Sequence, residues 1–249
     1  MRRLLTFGLV VAGAFCLPSR SNASTITVDF SIGPTGNLGT STFTDSVTQV
    51  TVKGYYSTTS SGSSWSPANL YRRNVPNDHG FGICDPNETA SQCADSGDYS
   101  EVDNSDKPEV LRLTLPQGYA WVAVRLSSLD NNGGGATERM RIYGDDDGVA
   151  GTVGNIGSTV LGNATIAQVA ATSDVEPTIA ISTTYQAVNY LFLEPYDWAH
   201  HGSNKNNDFL LYSVTLHAVP EPATLLLLGT GLAGMALRHR NRRTRPPSN

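Results

Sequence analysis

From Ser24 to Ala218, hydrophobic residues recur at every second position in short runs, and clusters of Gly, Asn, Asp and Ser separate the runs. TITVDFSI (Thr25–Ile32) alternates in this way, and VTQVTVKGYY (Val47–Tyr56) follows it. In EVLRLTL the alternation puts Leu111, Leu113 and Leu115 on one face and Val110, Arg112 and Thr114 on the other. YAWVAVRLSS aligns Val122, Val124 and Leu126, and ERMRIYG sets Met140 and Ile142 against Arg139, Arg141 and Tyr143. TIAIS, VNYLFLE and FLLYSVTL complete the series, the last with Leu210, Tyr212, Val214 and Leu216 facing one way. A period of two over such short runs is the pattern of half-buried strands. The pattern predicts an all-β fold, an antiparallel β-sandwich of the jelly-roll kind, formed as one domain over residues 24–218.

Four stretches do not fit the strand pattern plainly. The segment around Ala164–Thr172 suits a short helix or a strand equally. STTSSGSSWS (Ser57–Ser66) reads as an exposed low-complexity loop. Cys84–Glu109 is a long acidic insertion, and Gly144–Gly157, with glycine at 148, 151, 154 and 157, reads as a turn-rich loop.

The two ends of the chain have a different character. Residues 1–23 combine Arg2 and Arg3, an apolar run from Leu4 to Leu17, and the small-x-small pattern Ser21-Asn22-Ala23. That is the layout of a secretory signal peptide cut between Ala23 and Ser24, with the Sec translocon and signal peptidase as the implied partners. A lipoprotein signal is excluded because the bulky Phe15 precedes Cys16. At the other end, the tail 219–249 holds Pro220-Glu221-Pro222, an uncharged and mostly apolar run over 223–237, and a basic end over 238–249.

Charge separates along the same boundaries. The whole chain carries −5, but residues 24–218 hold nine Lys and Arg against 21 Asp and Glu, a difference of −12. An acidic body argues against nucleic acid as a partner. Export removes Cys16 and leaves Cys84 and Cys93, with eight residues between them. In an oxidising compartment that pair reads as a disulfide contributing roughly 2–3 kcal/mol in the chain-entropy model.

The tail contains GTGLAG (Gly229, Gly231, Gly234), the letters of a dinucleotide-binding fingerprint. That site requires a strand before the motif and an acidic residue about twenty positions after it. Fifteen residues follow Gly234 and none is acidic, so the motif is not a cofactor loop. As a helix, 223–237 would extend about 22 Å, short of a ~30 Å hydrocarbon core. The run is expected to be a single transmembrane sorting helix, and the arginines after it would hold the end of the chain in the cytoplasm.

The order Pro220-Glu221-Pro222, apolar span and basic cluster resembles the PEP-CTERM sorting signal of exported proteins from Gram-negative bacteria. The resemblance implies recognition by an exosortase, processing near the motif, a transient stay in the inner membrane, and delivery to the cell surface or extracellular polysaccharide matrix. The body also shows His79-Gly80-Phe81-Gly82-Ile83-Cys84, then Ser100-Glu101-Val102-Asp103-Asn104, then Glu109-Val110-Leu111-Arg112-Leu113. That progression is similar to one recurring in β-sandwich bodies of PEP-CTERM proteins, and it implies a sandwich rather than an activity.

Candidate chemistry within the body is sparse. Glu101, Asp103, Asn104 and Asp106 place four oxygen-bearing side chains within six residues, which reads as solvated turn carboxylates or as a Ca²⁺ site. Asp145-Asp146-Asp147 is a second such candidate. Tyr196, Asp197, Trp198, His200 and His201 combine aromatic faces with polar groups, as sugar sites do, and Trp65 with Tyr71 is another such pair. The chain has no G-x-S-x-G, H-E-x-x-H or C-x-x-C. The expectation is a non-enzymatic structural or adhesive protein of the matrix that binds exopolysaccharide or surface glycans. A secreted carbohydrate-active hydrolase is the alternative.

Overall fold

The computed structural model describes residues 24–59, 64–76, 78–89, 91–93, 100–104, 107–129, 131–132, 136–145, 165–170, 176–195, 207–219 and 228–235. The strands in chain order are β1 (Thr25–Asp29), β2 (Gly36–Asn37), β3 (Thr42–Thr44), β4 (Thr51–Ser57), β5 (Trp65–Pro67), β6 (Asn69–Val75), β7 (Asp78–Cys84) and β8 (Glu109–Thr114). They continue as β9 (Tyr119–Ser127), β10 (Asn131–Asn132), β11 (Ala136–Thr137), β12 (Arg139–Asp145), β13 (Thr165–Ala170), β14 (Thr178–Ala180), β15 (Tyr190–Pro195) and β16 (Leu210–Ala218). The ambiguous segment at 164–172 is thus a strand, β13. Trp65, expected in a loop, pairs with Ser57 in a β4–β5 hairpin.

Two seven-stranded sheets carry the fold. Sheet A runs β14-β9-β16-β7-β6-β2, with β1 also beside β16, and sheet B runs β13-β12-β15-β8-β4-β3, with β5 also beside β4. The pairings are antiparallel. One continuous core lies between the sheets. Trp121, Phe81, Leu70, Leu126 and Val214 from sheet A meet Val52, Leu111, Leu113, Met140 and Leu193 from sheet B. The sandwich is therefore as the alternation requires, with neither sheet able to bury its apolar face alone.

Two bulges change which residues reach that core. The register between β16 and β9 slips between Leu211 and Ser213 and again between Thr215 and Leu216. Leu211, Val214 and Leu216 consequently face the core, while Tyr212 turns out and lies 4.5 Å from the Arg125 guanidinium. On β9, Trp121 takes the inward position and Val122 is half-buried. An extra residue reverses the facing of everything beyond it, so strict alternation fails here at Tyr212 and Val122.

A short crossing segment locks the two sheets together. Residues 100–104 lie against β7, where a Cβ on Gly82 would meet the Ser100 carbonyl oxygen at 2.0 Å. The Ile83 amide donates to the Glu101 carbonyl at 3.2 Å, and Val102 forms a bridge with Phe209. Gly80, with φ +125°, leaves similar room for the Leu211 carbonyl at 2.1 Å. The Gly-Phe-Gly spacing of β7 thus lets two backbones approach it.

Gly82→Ala should destabilise the body by about 3 kcal/mol or more, because only backbone movement relieves the clash. Chemical denaturation of the parent and variant measures the difference.

Candidate functional site

Alternation that sends Val52, Leu111, Leu113, Ile142 and Leu193 into the core sends their neighbours to the outer face of sheet B. Lys53 lies opposite Arg112, Tyr55 opposite Val110, Phe192 opposite both Arg112 and Tyr143, and Arg141 opposite Glu194. Tyr55, Val110, Tyr143 and Phe192 form a second apolar cluster, and the half-buried Trp65 and Tyr190 pack against it. The Arg112 guanidinium lies between two rings, 5.6 Å from the centre of Tyr55 and 5.2 Å from that of Tyr190. The Lys53 ammonium sits 5.0 Å from the Tyr55 ring centre. Each such contact contributes about 0.5–1 kcal/mol where water reaches it. The result is a surface of aromatic rings alternating with cations across three neighbouring strands.

Glu194 stands at one side of this surface and is almost wholly buried. Burial pushes its carboxyl up to about 7, opposed by the Tyr143 hydroxyl that donates to it and by the Arg141 charge. Arg141 Nη1 also donates to the Tyr143 hydroxyl, at 3.0 Å. Burial, and then the Glu194 charge, raise the Tyr143 hydroxyl to about 12. Glu194 Oε1 has no hydrogen-bond partner among the described residues.

The proposed acidic turn is not solvated. Glu101, Asp103 and Asn104 are buried. Glu101 Oε1 accepts from Arg73 Nη1 and, at 2.7 Å, from the Ser128 hydroxyl. Arg73 Nη2 also reaches Asp78, at 3.1 Å. The Asp103 amide donates to Glu109 Oε2 at 3.1 Å, and the Glu109 amide returns a bond to the Asp103 carbonyl at the same distance. Asn104 Oδ1 accepts from the Asn207 amide at 3.2 Å. These side chains fasten the crossing segment to β6, β8 and the start of the last strand. Burial raises the Glu109 carboxyl well above its ordinary range, and the Asp103, Glu88 and Asp85 carboxylates add to the effect. Asp106 lies outside the described residues. So do Asp146 and Asp147, while Asp145 is buried at the end of β12.

Cys84 and Cys93 are disulfide-bonded, with Cα atoms 5.7 Å apart, and Tyr71 packs on the bridge. With Glu88 they are the one group of three potential metal ligands that converges among the described residues. Sulfurs bonded to each other are not thiolate ligands, so this trio is a structural staple. A cavity of about 380 Å³ opens beside it, lined in part by Asn37, Asn69, Asp85 and Glu88. Tyr71 and Trp65, paired in the sequence reading, are on different sheets.

The loop residues Tyr196, Asp197, Trp198, His200 and His201 lie outside the described residues, directly after Pro195 of β15. The aromatic–cation face of sheet B escaped the sequence reading. Its signal was nevertheless present: KGYYS, RIYGD and YLFLEP carry large side chains at both alternating sets, which marks strands covered on both faces.

Two results are expected from the buried carboxyls. Glu101→Gln should cost about 1–3 kcal/mol in denaturant unfolding, because Arg73 loses the more deeply buried of its two carboxylate partners and keeps Asp78. Glu194 binds its proton more tightly folded than unfolded. The stability from that proton is full below pH about 4.5 and is lost as pH rises towards 7. Glu194→Gln should therefore leave stability unchanged at pH 4 and raise it at pH 8, by on the order of 3 kcal/mol. Melting curves at the two pH values check this.

Beyond the body, residues 228–235 form a short helix with Leu228, Leu232 and Met235 exposed. No helix among the described residues is long and apolar enough to cross a membrane. Residues 1–23 and 220–227 and the basic end 238–249 lie outside the described residues, and with them Ala23, Pro220, Glu221 and Pro222. No curated protein matches the chain. A family model of the PEP-CTERM protein-sorting motif matches residues 218–243, which include the Pro-Glu-Pro triplet, the apolar run and the first arginines. That motif implies an exported protein processed at the membrane, with an exosortase as its sorting partner. The chain is a protein bearing a PEP-CTERM sorting motif.

Proposed function

We propose that the protein is a structural or adhesive component of the cell surface or extracellular matrix, and that its body retains polysaccharide on the outer face of sheet B. The observation that carries this reading is the half-buried set Lys53, Arg112, Trp65 and Tyr190, which rims the buried Tyr55 and Phe192. Sugar rings offer C–H faces that lie on aromatic rings and hydroxyls that need fixed polar partners, and this face supplies both. Residues 1–23 would direct export, with cleavage between Ala23 and Ser24, and the sorting tail would be removed near Pro220-Glu221-Pro222.

The test is affinity electrophoresis of the exported protein in gels containing xylan, soluble cellulose derivatives or alginate, with and without Ca²⁺. Retention by at least one polymer is expected, and Tyr190→Ala with Trp65→Ala should weaken it about tenfold, the loss of two ring contacts. Retention unaffected by both substitutions would move the site elsewhere. Release of reducing ends from any of these polymers would favour the hydrolase reading.

A further inference from the structure

The sorting motif adjoins the folded body with no linker. The family match begins at residue 218, and Ala218 is the last residue of β16, paired with Tyr119 of β9. One residue on, the Val219 amide still donates to the Gly118 carbonyl at 2.8 Å. The next three residues are Pro220, Glu221 and Pro222, and the apolar run starts at Ala223. Four fully extended residues reach at most about 14 Å. A compact body of this length has a radius of gyration of about 16 Å. With the apolar run in the membrane, an enzyme acting on the motif would work within a reach shorter than the body's own radius.

The body's surface at that gap is well defined. It comprises the 116–119 turn, where Gly118 has φ +79° and Gln117 is exposed, together with His217 and Thr25, which pair across β16 and β1. The first strand of the body thus starts beside the point where the chain leaves for the tail. This end carries no Lys, Arg, Asp or Glu among Thr25, residues 116–119 and residues 217–219.

We propose that this end of the sandwich is a docking surface for the membrane-embedded exosortase, which reads the body and the motif together. The inference rests on the sorting motif and is independent of polysaccharide binding. An uncharged surface beside a membrane face accepts a close partner without charge desolvation, and introduced charge should disfavour it.

The experiment follows conversion of the full-length precursor to the processed form by pulse–chase in cells containing the exosortase. Gln117→Arg with His217→Arg should slow conversion at least fivefold. The same pair in a chain with a twelve-residue Gly/Ser spacer between Val219 and Pro220 should convert at the rate of the spacer-only chain, because the motif then reaches the enzyme away from the body. Conversion of the double variant at the parent rate would overturn the proposal. Slowing that persists with the spacer would place the effect in folding or export, and would overturn it equally.

Discussion

Residues 100–104 cross between the sheets with their backbone laid on β7, and the approach is so close that Gly82 has no room for a methyl group. That contact sets the positions of the elements around it. It brings Glu101 to Arg73 on β6, Val102 to Phe209 just before β16, and Asp103 into reciprocal bonding with Glu109 at the start of β8. Charges buried this deeply contribute little net stability, since desolvation offsets most of their attraction. Their effect is on alternatives. A crossing shifted by one residue would leave Arg73 and Glu101 buried without each other, which costs far more than the correct pairing gains. The segment therefore selects a register more than it adds stability.

This accounts for an apparent contradiction in the acidic insertion. Four oxygen-bearing side chains in six residues look like a surface feature, because acids outside strands are usually solvated. The deciding information, Arg73, lies 28 residues earlier than Glu101 in the chain. No local pattern connects the two. The progression of Gly-Phe-Gly, Glu-Val-Asp and Glu-Val-Leu marks the rest of the junction: its three parts are the floor, the crossing and the receiving strand.

Legibility in the sequence follows the same division between local and distant causes. Period-two alternation correctly placed Leu111, Leu113, Met140 and Ile142 in the core, because β8 pairs with β4 and β15, and β12 with β15, without a register shift. It failed at Val122 and Tyr212, where bulges insert a residue and reverse the facing. A bulge is a property of two paired strands, so neither strand shows it alone. The outer face of sheet B is an intermediate case. KGYYS, RIYGD and YLFLEP each show excess large side chains, but their convergence around Arg112 appears only once β4, β8, β15 and β12 are set in order.

The sorting motif was legible for the opposite reason, since what identifies it is the order of residues along one stretch of chain. Structure adds the fact that this linear signal begins within the last residue of a strand bonded to β9 on one side and to β1 on the other. β16 lies inside sheet A, so the sheet cannot close until the chain up to Ala218 is available. The next four residues already lead to the apolar run. Completion of the body and arrival of the tail at the membrane are therefore separated by a few residues of chain. A sorting system acting on the tail meets a body whose final strand has just become available to pair, and the two events share one end of the molecule.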